Sequence, residues 1–459
     1  MIRIRRGAKA TGPAPPVALR GPMIAWRGDP FDVGERRALR HEPDAIVAMA
    51  DGRIVHAGDA ARVLRELPQG TTVERLPRNS LMLPGFVDTH VHYPQFPVIA
   101  SRGAQLLDWL ADYTFPSEAA FANARLTSRV ARAYLDENLR QGITSAAVFC
   151  TVHPGSVDAL MREALARDLR IVAGKVLMDR NAPRALRDTP KRGYDESKAL
   201  IARWHGRGRL GYAITPRFAV TSSPAQLEAA GALWREHPDC WVQSHLSENR
   251  GEIDWVRRLF PRERDYVAVY ERFGLVGRRA IYGHGIHLAE REWRALAASG
   301  AAVAHCPTSN LFLGSGLFRF DRAKKAARPV EVGLATDVGG GTTLSFLRTM
   351  GEAYKIAQLC GWPMPAVHAF WLATQGGARA LDLEGRIGNL AAGHDADVVV
   401  LDLASTPAIA QRMERVRGIE EALFVQMTLA DDRATRATWI AGDPVYDRDR
   451  SVPFAPALA

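Results

Sequence analysis

His90 and His92 stand one residue apart at the end of an apolar run that begins at Leu81. On a β-strand, residues i and i+2 share a face, so these two imidazoles can close on one metal ion. The pair alone is weak evidence, because two histidines on a surface strand have the same spacing. Further ligands and a proton carrier have to come from elsewhere in the chain. Polar residues of the right kind do follow other apolar runs: His245 and Glu248 in Ser244-His-Leu-Ser-Glu248, His284 in Gly283-His-Gly-Ile-His287, and Asp337 in Ala335-Thr-Asp337. Three imidazoles plus a carboxylate suit zinc or ferrous iron, with a coordination position left for water. Taken singly, each has a plainer role. His245 serves equally well as a hydrogen-bonded core histidine, Glu248 as an exposed residue three positions beyond it, and Asp337 as a helix cap before Gly339-Gly340-Gly341. His287 and His305 have nothing to pair with and read as structural.

Those residues become a site only if their runs end at one place. Eight apolar runs alternate with amphipathic stretches: Leu81 to His92, Ile143 to Thr151, Arg170 to Asp179, Leu210 to Thr221, Cys240 to Glu248, Ala280 to Leu288, Ala301 to Asn310 and Val330 to Gly339. The intervening pieces, such as Pro224 to Glu236 and Glu290 to Ser299, carry apolar residues at helical spacing. Eight strand-helix units predict an α/β fold, a (β/α)8 TIM-like barrel over residues 81–385, with the chemistry at the C-terminal strand ends. Outside it, Ala45 to Ala50, Asp51-Gly52 and Arg53 to Gly58 form a hairpin signature. Ile387 to Leu390, Ala396 to Asp402 and Thr438 to Tyr446 read as three more strands. A small β-sandwich domain built from both termini, residues 1–80 and 386–459, is the economical inference.

Composition narrows the class. The 459 residues are 47% hydrophobic and 24% charged, a globular profile. The net charge of +10 invites a nucleic-acid partner, but the arginines are spread over helix-like stretches such as 125–140 and 257–264. They read as solvated helix faces, and no nucleic-acid partner is expected. Cys150, Cys240, Cys306 and Cys360 are far apart with no Cys-x-x-Cys spacing, as expected of reduced thiols in the cytoplasm. Met1 to Arg6 is basic without a following apolar segment, and no run of 18 apolar residues occurs, so neither secretion nor membrane association is expected. The arginine- and proline-rich first 40 residues carry no functional reading.

The chain resembles the amidohydrolase superfamily, and within it the guanine deaminases. The resemblance lies in Pro84-Gly-Phe-Val-Asp-Thr-His-Val-His-Tyr-Pro-Gln95, Gln105-Leu-Leu-Asp-Trp-Leu110, Tyr113-Thr-Phe-Pro-Ser-Glu118, Thr215-Pro-Arg-Phe218, Ser244-His-Leu-Ser-Glu-Asn249, His305-Cys-Pro-Thr-Ser-Asn310 and Gly333-Leu-Ala-Thr-Asp-Val338. It implies one zinc ion, or ferrous iron, held by His90, His92, His245 and Asp337. Binuclear members bridge two metals with a lysine at the end of the fourth strand. That strand here ends in Thr215-Pro-Arg-Phe218, without a lysine, and Lys175 in the third run is a poor substitute. The resemblance further implies hydrolysis of guanine to xanthine and ammonia, with a related aminated heterocycle such as 8-oxoguanine or a triazine as the alternative substrate. It gives Glu248 the proton transfer, Asp337 the orientation of water, and His284 a polarising role beside the metal. It makes Gln95, Arg217 and Phe218 the purine-binding set, and the assembly a homodimer. Those three residue types suit a heterocycle: an amide with donor and acceptor, a guanidinium donor and an aromatic face.

Overall fold

The protein is described by a computed structural model over residues 16–103, 105–325 and 327–450. The apolar runs form parallel strands β1 (Phe86–His92), β2 (Ile143–Phe149), β3 (Arg170–Gly174), β4 (Gly211–Pro216), β5 (Trp241–Leu246), β6 (Ala280–His284), β7 (Ala302–His305) and β8 (Glu331–Leu334). Every residue of β1, β2, β4, β5, β6 and β7 is buried. This is why these strands read as continuous rather than alternating runs: helices cover the outside of the sheet while side chains fill its interior.

Each strand pairs with its sequence neighbour, and a two-residue strand, Val176–Leu177, extends β3 along Thr215 and Pro216 of β4. The circle of eight strands is nearly closed, and the join between β8 and β1 is made at the mouth. His92 N donates to Val338 O and Asp337 N to His90 O, both at 2.9 Å. The buried Asp88 carboxylate accepts from Thr336 N at 3.0 Å and from Thr336 Oγ1 at 2.5 Å. The crossover helices begin where sequence rules place them. Helices Pro190–Trp204 and Pro224–Glu236 open on proline, and the side chains of Thr189 and Ser223 cap them. The helix expected over 290–299 is present as Glu290–Ser299.

A second, eight-stranded sheet draws on both ends of the chain: Val17–Trp26, Leu39–Ala50, Arg53–Asp59, Thr72–Arg75 and Ser80–Pro84, then Val398–Asp402, Thr435–Ile440 and Asp443–Asp447. The strands are connected in one sheet, and Leu19, Val47, Met82, Val398 and Trp439 share an apolar cluster. The Asp51-Gly52 turn adopts positive φ at both residues, 49° and 75°, as its hairpin requires.

Three expected boundaries differ. The run from Leu81 to His92 is two strands. Ser80–Pro84 pairs with Val398–Asp402 in the second sheet, and the barrel starts at Phe86, so the expected break at residue 81 falls inside a strand. The chain crosses between sheets at Gly85, where a Cβ would lie 2.1 Å from Thr144 Oγ1. Residues 387–390 form no strand. Instead the Asn389 side chain bonds both N and O of Trp26, at 2.8 and 3.0 Å, doing for one residue what a paired strand does for several. The run from Thr438 to Tyr446 is a hairpin that turns at Ala441-Gly442. The ends of the expected terminal domain, residues 1–15 and 451–459, lie outside the described residues.

Buried ions tie this segment to the barrel. Asp395 accepts from Arg170, the first residue of β3, at 2.6 Å and lies 2.8 Å from Arg53 Nη1, while Asp397 pairs with Arg209 just before β4. These contacts sit at the N-terminal strand ends, away from the mouth. All four cysteines are free, three of them buried. Among the described residues no helix is long and apolar enough to cross a membrane.

Candidate active site

The strand ends bring the predicted ligands together. Ring nitrogens of His90, His92 and His245 lie within 4.8 Å of one another, and donor atoms of His90, His284, Cys306 and Asp337 form an overlapping group of four within the same distance. Asp337 Oδ1 is 3.4 Å from His90 Nε2 and 3.6 Å from His92 Nε2, and the Nε2 atoms of His92 and His245 face each other at 3.0 Å. Close packing makes this possible: a Cβ on Gly283 would lie 2.7 Å from the His90 ring. Two of the residues also hold backbone angles that non-glycine residues seldom adopt, φ 73° at His284 and 48° at Asp337. Such strain concentrates at functional sites.

The donor set fits a cation. His245 Nδ1 donates to Arg217 O at 2.7 Å, which leaves its Nε2 with a lone pair. That lone pair faces another ring nitrogen, a repulsive arrangement unless a proton or a cation lies between them. His90 Nε2 is buried without a hydrogen-bond partner. Burial, followed by the neighbouring charges, holds His92 and His245 well below the usual imidazole range, and His90 lies below it as well. Neutral imidazoles are the form that binds metal. Asp337 is held below the usual carboxylate range: burial raises its carboxyl, but the close approach of the His90 and His284 rings outweighs it. Cys306 is a poor ligand. Burial raises its thiol well above the usual range, and Sγ donates to Ala304 O at 3.4 Å.

Glu248 and His284 form the titrating part of the site. Glu248, expected from the resemblance to carry the proton and with an exposed surface residue as its plainer reading, is only 3% exposed, and burial pushes its carboxyl up to about 7. Its Oε2 is 3.4 Å from His284 Nε2, and its Oε1 accepts from Ser315 Oγ at 3.2 Å. His284 Nδ1 donates to Asn310 Oδ1 at 2.9 Å. Burial acts to lower the His284 pKa, but the Glu248 and Asp337 carboxylates outweigh it and the net shift is upward. The two groups therefore titrate as a coupled pair. His287 bonds Ser315 O at 2.9 Å, and His305 stacks on Phe318 with ring centroids 4.6 Å apart, both consistent with structural roles.

A cavity opens beside these groups, lined by Gln95, Arg217, Phe218, Glu248, His284 and Asp337 among others. Leu106, Trp109 and Leu110 form its apolar side. They belong to one helical segment from Leu106 to Ala119 whose middle, Leu110–Thr114, widens to a π-helical turn before Pro116. Pro116 has no N–H to give a regular helix, and the widened turn lies where that hydrogen bond is missing; Glu118 follows it and is buried. Phe115 of the same segment lies 5.8 Å from the Arg217 guanidinium.

Three residues that matter to this geometry carry no role in the sequence reading: Asp88, Asn310 and Glu118. All three lie inside the motifs that carried the resemblance, which was the available signal. Their tasks, closing the barrel mouth, orienting His284 and pairing with Arg217, depend on contacts at separations of 248, 26 and 99 residues.

Known proteins match along nearly the whole chain. The amidohydrolase family model matches residues 81–445. Guanine deaminase of Escherichia coli (strain K12) is 45% identical over 412 residues, 90% of this chain and 93% of the relative. A probable guanine deaminase of Deinococcus radiodurans is 41% identical over 437 residues, covering 94% and 98%. The solved E. coli guanine deaminase superposes with a TM-score of 0.91 at 44% identity, over 94% of this chain and all of that one. A guanine deaminase from C. acetobutylicum, solved with guanine bound in its active site, superposes at 0.83 with 26% identity, over 94% and 100%. A barrel of eight parallel strands with histidines and an aspartate meeting at its mouth, matched over this span and at these identities, establishes that the chain belongs to the amidohydrolase family.

Proposed function

We propose that this protein is a zinc-dependent guanine deaminase, which adds water at C2 of guanine and releases ammonia to leave xanthine. The observation that carries the reading is the buried His90, His92, His245 and Asp337 cluster opening directly onto a cavity walled by Gln95, Arg217 and Phe218. The 45% identity to a guanine deaminase supports the choice of substrate. His90, His92, His245 and Asp337 would hold the metal. Bound there, a zinc ion supplies Lewis-acid charge that brings the pKa of water towards ~7.

This chain's own residues do the rest. Asp337 accepts a hydrogen bond from the attacking water and orients it towards C2. Glu248, with a carboxyl near 7, takes one proton from water and delivers it to the ring nitrogen, then carries the remaining hydroxyl proton to the departing amine as the new carbonyl forms. His284 donates towards the developing charge while Asn310 fixes its ring. Arg217 and Gln95 donate to the carbonyl and ring nitrogen at the remote edge, and Phe218 covers a π face. Leu106, Trp109 and Leu110 keep bulk water from the reacting carbon. Water's oxygen becomes the C2 carbonyl, one of its protons stays on the ring nitrogen of xanthine, and the other leaves with the amino group as ammonia.

The reading extends to a cytoplasmic homodimer. Free cysteines support the compartment and the family resemblance supports the dimer, which light scattering of the purified protein tests. The deciding experiment is ammonia release from guanine by protein of measured metal content, compared with 8-oxoguanine, adenine, cytosine and a triazine. Turnover of guanine well above the others is expected; negligible turnover of guanine overturns the assignment.

A further inference from the structure

Among the described residues, Glu118 is the one carboxylate that hydrogen-bonds both polar residues on the remote wall of the cavity. It is fully buried, on the segment that also carries Leu106, Trp109 and Leu110. Gln95 Nε2 donates to its Oε1 at 2.9 Å, and Arg217 Nη1 donates to Oε1 at 2.7 Å and Oε2 at 2.9 Å. Gln95 Oε1 in turn accepts from Gly339 N at 3.3 Å. With a carboxylate on one side and an N–H on the other, the Gln95 amide has a single satisfactory orientation. Turning it over would set its oxygen against Glu118 and its NH2 against the Gly339 N–H.

The consequence is a wall rich in donors. Among the described residues no hydrogen bond takes up Arg217 Nη2 or Nε, and Gln95 keeps its second N–H. A carbonyl at this edge of a purine meets donors; an amino group brings its own N–H into them and leaves buried donors unpaired, which is where large discrimination comes from. We propose that Glu118 is the positioning residue that sets the preference for a 6-oxo over a 6-amino purine, by aiming the donors of Arg217 and Gln95 at the ring edge remote from the reacting carbon. This rests on the purine reading given above. Glu118 touches no reacting atom and acts only through the two residues it holds.

Glu118→Gln removes one acceptor and puts a donor against either Arg217 or Gln95, so the Gln95 amide is released and can present its oxygen to the cavity. The test uses metal-loaded full-length protein and the binding of hypoxanthine and adenine by calorimetry. These ligands match in shape, differ at C6 and N1, and lack the 2-amino group. The unaltered protein is expected to favour hypoxanthine by at least about tenfold, and E118Q to bind the two within about threefold of parity. An E118Q protein with normal metal content, an unchanged melting temperature and an unchanged preference overturns the proposal, because a merely structural role does not discriminate between two ligands of one shape. Gln95→Met leaves the Glu118–Arg217 pair in place and removes one donor, so its preference is expected to lie in between. Should E118Q fail to hold metal, Q95M decides: a reduced preference supports the proposal and a retained one overturns it. Ammonia release from guanine by the unaltered protein is read separately. Its failure removes guanine as substrate, whereas the dependence of the oxo-over-amino preference on Glu118 stands or falls on the binding data.

Discussion

Glu248 is buried 3.4 Å from His284 with its carboxyl near 7, and the proposed mechanism draws on its protonation more than on its bulk. Glu248→Gln keeps the shape and removes the titration. It is expected to retain metal and purine binding and to lose about 10²–10⁴-fold in kcat, read as ammonia release alongside metal analysis. Activity near that of the unaltered protein would remove Glu248 from the proton path. Arg217 needs a gentler change than truncation. Arg217→Ala leaves Glu118 as an unpaired buried charge, which costs about 3–5 kcal/mol in such pairs. Arg217→Lys keeps the charge but cannot reach Glu118 and a purine at once, so KM for guanine should rise with metal content intact. Gly283 is a third test at this scale. A Cβ there would press on the His90 ring, so Gly283→Ala is expected to lower metal stoichiometry, measured on the purified variant, before it lowers stability.

Among the elements, the ionic link between the second sheet and the barrel is exposed to pH. Burial favours the neutral form of Asp395, but the charges of Arg209 and Arg170 outweigh it and the carboxyl is held below its ordinary value. A depressed carboxyl contributes stability that is present above the unfolded-state pKa of about 3.9 and is lost as pH falls through the lower folded value. Asp395→Asn is therefore expected to destabilise the protein at pH 7 by about 3–5 kcal/mol, since Arg170 and Arg53 keep buried or half-buried charges without a partner. Its loss of stability between pH 5 and 3 should be shallower than that of the unaltered protein, read by thermal melts across that range. Parallel curves would mean that Asp395 titrates alike in both states. The helical segment from Leu106 to Ala119 shows another property of elements: one segment, with a π-helical turn before Pro116, carries three pocket residues and the buried Glu118.

For the whole molecule, a metal held as proposed by residues of β1, β5 and the loop after β8 would join strands far apart in sequence. A cation bound only by the folded form stabilises it by about 4 kcal/mol at a thousandfold excess over Kd. Chelation is expected to lower the melting temperature, and stoichiometric zinc to restore it together with activity. An unchanged melting temperature on removal of stoichiometric metal would place that metal elsewhere. The net charge of +10 has little bearing on the site. Many arginines are taken up by neighbouring carboxylates, as Arg167 is by Asp136 and Glu163, and Arg203 by Asp158.

The amino-acid sequence by itself determined the eight-strand repeat, the strand ends that carry His90, His92, His245, His284 and Asp337, and the Asp51-Gly52 hairpin. These follow from local rules: continuous apolar runs mark strands buried on both faces, and polar residues at their ends mark the mouth of a barrel. The tertiary structure alone decided that the Leu81–His92 run divides at Gly85, because the crossing depends on a close approach to Thr144 that no local pattern records. It also decided that Glu248 is buried, that Asn389 replaces a strand, and that Glu118 clasps Gln95 and Arg217. A hydrogen bond across 99 residues has no periodicity to read, since its geometry exists only once the barrel has brought β1, β4 and the covering segment together.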